Sequence, residues 1–204
     1  VGGDNFFTTN GVVHVGRWNG QNWIPTGPLG LFDVNVRAFA VYNAGQGPKM
    51  YAGGVGFIVG GGTGLVRWTG SSWMLVGGGL TSTFQSDPAG VFSLAACNFG
   101  LGPELYVGGV FGGAPGVPSK SIIRWNGTTW SPLGSGLQPP AGQAYGAVYK
   151  MIVYGPHLYV AGFFSSAGGQ PMNWIARWDG SNWSPLGSGI NGEVFSMAVW
   201  DDGR

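Results

Sequence analysis

The chain has 204 residues, 8% of them charged, with 42 glycines and a formal net charge of +1. Disordered chains lack apolar and aromatic residues; at 44% hydrophobic and 14% aromatic this one is expected to fold, at a length that suits a single all-β domain. It has no basic cluster and no run of about 18 apolar residues, so neither nucleic acid nor membrane insertion is expected.

In chain order, the first predicted element is a short strand at residues 1–3, ending in the doublet Gly2-Gly3. A hairpin follows, in which Arg17-Trp18 leads through Asn19-Gly20 to Trp23, and then a strand at 34–42. The series returns three times. A strand at 50–54 ends in Gly53-Gly54, Arg67-Trp68 leads through Thr69-Gly70 to Trp73, and the next strand is 91–98. The third round has 105–109 with Gly108-Gly109, Arg124-Trp125 leading through Asn126-Gly127 to Trp130, and 147–154. The fourth has 158–162 with Ala161-Gly162, Arg177-Trp178 leading through Asp179-Gly180 to Trp183, and 194–200.

Successive Arg-Trp pairs stand 50, 57 and 53 residues apart (17 to 67, 67 to 124, 124 to 177), near the roughly 40–50-residue period of propeller repeats. Asn-Gly and Asp-Gly supply the positive φ of tight turns, and Gly155-Pro156 interrupts a ladder. No stretch has the 3.6-residue apolar period of a capped helix. The expected fold class is therefore all-β: a β-propeller of four-stranded antiparallel blades, with four blade equivalents at about 1–49, 50–104, 105–157 and 158–204. The strands at 34–42, 91–98, 147–154 and 194–200 are the innermost. Paired small residues at the end of each second strand suit a bulge or a close backbone approach near a central axis. Both Trp residues of a hairpin project from one face, so Trp18, Trp23, Trp68, Trp73, Trp125, Trp130, Trp178 and Trp183 are expected to fill the space between blades.

Val1 aligns with Ala52, Val107 and Val160, so the opening strand lacks the aromatic that precedes each of those. Residues 201–204 resemble the start of the loops at 43–45 and 98–100. Two arrangements fit: a ring closed by pairing 194–200 with 1–4, or a section of a longer array completed by further blades or a second chain. The shortened first strand favours the section.

The order of YVGG (106–109), Trp125, a turn and Trp130 resembles kelch-type repeats, which build the propellers of the galactose-oxidase-like superfamily. It also resembles tandem repeats of exported bacterial proteins with units such as IARWDGSNWSPLGSG. Arg-Trp stands where Tyr-Asp is usual in kelch, and the spacing to the second Trp is shorter. The resemblance implies a propeller and points to an extracellular or cell-surface protein.

Galactose-oxidase-like enzymes hold copper with Tyr and His ligands and a cross-linked Cys. Only His14 and His157 are present, and Cys97 lies in the apolar strand VFSLAACN, where a free thiol behaves as a small hydrophobe. Zinc-ligand spacing is missing too, so no cofactor and no metal site is expected. Glycosidase chemistry needs two facing carboxyl groups. Asp33, Asp87 and Glu193 fall in connections between blades, with Asp4 at the start of a neighbouring loop, and Asp33 with Glu193 is the best pair. Asp179 belongs to a turn, Asp201 and Asp202 to the last loop, and Glu104 to a loop at the same end. These acids read first as solvated loop residues. The repeated Arg17, Arg67, Arg124 and Arg177 read first as structural partners of aromatics or carbonyls, and the Trp pairs as packing before sugar platforms. The expected function is a non-catalytic exported module that binds an unknown protein or glycan through variable loops at 77–90, 111–119 and 134–144. The alternative is a carbohydrate-active propeller, a lectin or a hydrolase using loop acids.

Overall fold

The computed structural model describes residues 2–8, 11–26, 35–59, 62–83 and 89–200. The described residues contain strands and turns and no helix. A first sheet holds β1 (Gly2–Thr8), β2 (Gly11–Trp18) and β3 (Trp23–Pro25). The second holds β4 (Asn35–Tyr42), β5 (Lys49–Val59), β6 (Gly62–Trp68) and β7 (Trp73–Leu75). The third begins with β8 (Gly90–Asn98) and β9 (Pro103–Val110), steps out into the two-stranded ribbon β10 (Gly113–Ala114) and β11 (Val117–Pro118), and returns with β12 (Ile122–Trp125) and β13 (Trp130–Pro132). After β14 (Leu137–Gln138) comes the fourth sheet, with β15 (Ala147–Tyr154), β16 (His157–Phe163), β19 (Ile175–Trp178) and β20 (Trp183–Pro185). Between its second and third strands β17 (Ser166–Ala167) and β18 (Gln170–Pro171) join β14 in a small sheet. Each large sheet is an antiparallel meander in chain order.

Three placements differ from the sequence expectation. Asp4 falls inside β1, because that strand runs on to Thr8. Glu104 lies in β9, since the Asn98–Pro103 pair starts the ladder one residue before it. Residues 194–200 carry no ladder; among the described residues their backbone link is Val194 N–H donating to the Gly162 carbonyl at 3.5 Å.

The hairpins follow from their turn residues. Trp18 pairs with Trp23, Trp68 with Trp73, Trp125 with Trp130 and Trp178 with Trp183, each across a four-residue loop. The first loop residue closes it by accepting two backbone N–H bonds: Asn126 Oδ1 from Thr128 and Thr129 at 2.9 and 2.8 Å, Asp179 Oδ1 from Ser181 and Asn182 at 2.8 and 2.7 Å. Glycine follows it every time, with φ between +102° and +108°. The paired indoles lie 4.8–5.4 Å apart, tilted 52–55°.

The small doublets have two separate steric causes. A Cβ on Gly109 would overlap the Gly90 carbonyl, and one on Gly162 the Ala147 carbonyl, both in the first strand of the same sheet. A Cβ on Gly53 or Gly108 would instead overlap Val91 or Val148, the valine that the next sheet presses inward. Successive sheets therefore pack face to face, and the core lies in the layers between them. Val15 with Val36, Ala52, Val66 and Trp73 fills the first layer. Tyr42, Leu65 and Leu80 meet Val107, Ile123 and Trp130 in the second; Tyr106, Ile122 and Leu137 meet Val148, Leu158 and Trp178 in the third.

Each layer also has a directional hydrogen bond from the second Trp of a hairpin to the sheet before it. Trp73 Nε1 donates to Thr26 Oγ1 at 3.2 Å, Trp130 Nε1 to the Gly77 carbonyl at 3.0 Å, and Trp183 Nε1 to the Leu133 carbonyl at 3.2 Å. Burying an indole leaves its N–H in need of an acceptor, and the turn after the preceding sheet's last strand provides one.

Candidate functional site

Opposite the doublets of the second, third and fourth sheets the first strand is bulged. Val36 pairs with Gly54 and Ala38 with Gly53, leaving Arg37 as the extra residue. Val91 and Ser93 bracket Phe92 in the same way, and Val148 and Lys150 bracket Tyr149. A bulge sets two residues against one and re-aims the side chain that has no partner. Phe195 holds the corresponding place in 194–200, between Val194 and Ser196.

These four residues, drawn from positions 37, 92, 149 and 195, converge with Val55 on one cavity of about 390 Å³. Phe92 stacks on Tyr149 with centroids 6.1 Å apart and planes 28° apart, and Tyr149 stacks on Phe195 at 4.9 Å and 18°. Phe195 closes the stack and is 68% exposed. The Tyr149 hydroxyl donates to Glu193 Oε2 at 3.1 Å. Burial first, and then that bond and the Glu193 charge, push the Tyr149 phenol up to about 12, so it stays protonated at neutral pH. The site offers flat apolar faces, one guanidinium and one carboxylate already engaged by a phenol. A concave, mostly apolar seat with few convergent polar groups is the make-up of a binding site.

Of the acids singled out in the sequence, Glu193 is brought to the hydroxyl of Tyr149, which lines this cavity. Asp33 and Asp87 lie outside the described residues. Glu104 is buried and serves packing: it accepts from Arg124 Nη1 at 3.0 Å and from the Tyr106 hydroxyl at 3.1 Å. Burial, helped by the Glu104 charge, pushes the Cys97 thiol up to about 12, which makes it inert. Among the described residues no three His, Cys, Asp or Glu side chains gather as metal ligands would.

The Trp pairs divide by position. Trp73, Trp125, Trp130 and Trp178 are buried, Trp68 and Trp183 are half-buried, and Trp18 and Trp23 in the first sheet are 52% and 47% exposed. Sequence reasoning missed Arg37, Phe92, Tyr149 and Phe195. The available signal was the alignment of VRAFAVY, VFSLAAC, VYKMIVY and VFSMAVW, in which the second position is large in every case. No protein-family model, curated protein or solved structure matches this chain.

Proposed function

We propose that this chain is a non-catalytic binding module of an exported protein, arranged as a β-propeller or a section of one, with the cavity of bulge residues as its ligand seat. The observation that carries the reading is the convergence of one residue from each of four successive inner positions, 37, 92, 149 and 195, on a single cavity. Sheets fanned about an axis bring those positions together; a flat stack would keep them apart. Further blades or a second chain would complete the ring.

A second reading, glycan recognition, is favoured by the exposed ring of Phe195 beside Arg37. Exposed aromatic faces receive the apolar face of a sugar ring, while guanidinium and carboxylate orient its hydroxyls. The test is a screen of the 204-residue chain against neutral and acidic oligosaccharides. The expected result is binding without sugar release, weakened about tenfold or more by Phe195→Ala, as for the loss of an aromatic anchor. Turnover of the bound glycan would overturn the non-catalytic reading. Binding indifferent to Phe195→Ala and Tyr149→Ala would remove the cavity from consideration.

A further inference from the structure

The third sheet holds a buried carboxylate, and the second sheet repeats its surroundings without it. In β9, Glu104 is buried and accepts from Arg124 Nη1 at 3.0 Å and from the Tyr106 hydroxyl at 3.1 Å. Arg124 and Tyr106 stand opposite each other across β12 and β9, and Glu104 lies two residues before the tyrosine, on the same face of the strand. Arg67 and Tyr51 are the same cross-strand pair in β6 and β5. The residue two places before Tyr51 is Lys49. A cation therefore holds the register place of the acid.

A second exchange accompanies the first. Gly180, in the hairpin that packs on the third sheet, stands against Phe99, and Phe99 meets Tyr106 edge-on with centroids 5.7 Å apart. Gly127, in the hairpin that packs on the second sheet, stands against Ala44. With the large ring and the carboxylate both replaced, a cavity of about 150 Å³ lies in this place, lined by Arg67, Tyr51, Val76, Gly77 and Trp125. Tyr51 is 2% exposed and Arg67 is half-buried. Among the described residues neither side chain makes a hydrogen bond or an ion pair. Such a slot is rich in donors even where the acid is present, since Arg124 Nε and Trp178 Nε1 are buried without an acceptor. In the second layer a guanidinium and a phenol thus lie between two sheets with no acceptor from the chain, an arrangement that carries a desolvation cost.

We propose that this slot binds a carboxylate from outside the chain, held by the Arg67 guanidinium and the Tyr51 hydroxyl as Glu104 is held by Arg124 and Tyr106. A guanidinium presents a planar fork of N–H donors that matches the two oxygens of a carboxylate, and the phenol adds a further donor. Lys49, at the place of the acid, favours a negative guest. At about 150 Å³ the slot lies below the roughly 300–1,000 Å³ of drug-sized seats, so the guest is a small acid or the tip of an acidic side chain. The chemistry is the same for both. The inference rests on the comparison of two layers and is independent of the ligand seat at Tyr149.

Thermal unfolding of the 204-residue chain tests it. Sodium acetate probes a free acid, a glutamate blocked at both backbone ends probes a side chain, and sodium chloride at equal ionic strength is the reference. The unfolding midpoint should rise with the concentration of at least one carboxylate and stay level in chloride, because a ligand of the folded state stabilises it by mass action. The stronger probe identifies the source. By isothermal titration Arg67→Gln should bind that probe about tenfold more weakly or worse. Lys49→Glu installs the acid of the third sheet, so it should unfold at a higher midpoint than the parent in chloride and gain nothing further from either carboxylate. That variant keeps the test decisive where Arg67→Gln weakens folding. The inference is overturned if the parent responds to neither carboxylate, or if chloride raises the midpoint as much. It is equally overturned if Arg67→Gln or Lys49→Glu responds as the parent does.

Discussion

Indole rings in equivalent hairpins have different surroundings in this protein, so identical substitutions should have unequal costs. Trp130 is 8% exposed, lies in the layer between the second and third sheets, and bonds the Gly77 carbonyl. Trp130→Ala should cost about 3–5 kcal/mol, the range for a buried large aromatic. Trp18→Ala, at a half-exposed ring, should cost about 1 kcal/mol or less. Urea titrations followed by circular dichroism give both values, and equal losses would contradict the division between buried and exposed pairs. The recurrence of the Trp hairpins was legible in the sequence because each pair stands in the same place beside a turn. The exposure of Trp18 and Trp23 was not, because it depends on whether a sheet precedes the hairpin, which the local pattern does not encode. Glu104 was likewise misplaced in a loop. Gly102-Pro103 beside it reads as a break, yet Pro103 sits at the first position of a strand, where its missing N–H costs no ladder bond.

At the scale of elements, the doublets and the bulges are one device. The second glycine of a doublet lets the bulged strand bring its carbonyl close, and the first admits the valine of the next sheet. Gly109→Ala should therefore destabilise the protein by about 1–3 kcal/mol or more, since the obstructing atom is backbone and cannot swing aside. Gly70→Ala, with φ +108° and open space around it, should cost about 1 kcal/mol from backbone strain alone. Thermal unfolding of the two variants ranks them, and the reverse order would rule out the steric account. Strands, turns and doublets were readable from local chemistry. The bulges were not located, because a bulge is a mismatch between two strands and only the pairing reveals which residue is left over. For the same reason the cavity residues went unnoticed: Arg37, Phe92, Tyr149 and Phe195 share a register position, but one is a cation and three are aromatics, and only the pairing sets them apart from the other large residues of these strands.

Over the whole molecule, stability is distributed by layer. A sheet with a core on both faces is held more firmly than one with a core on a single face, as in arrays where each unit contacts only its neighbours. Hydrogen exchange should accordingly be slowest in the second and third sheets, each flanked by two layers, and fastest in β1 to β3. Uniform protection across all four sheets would show that the layers unfold as one unit. The indole bonds add an ordering in time. Each donor, at 73, 130 and 183, comes later in the chain than its acceptor at 26, 77 and 133. A polypeptide leaves the ribosome from its N-terminal end. Every newly exposed hairpin thus emerges after the turn that will hold it, and assembly can advance stepwise during translation without waiting for the last residue.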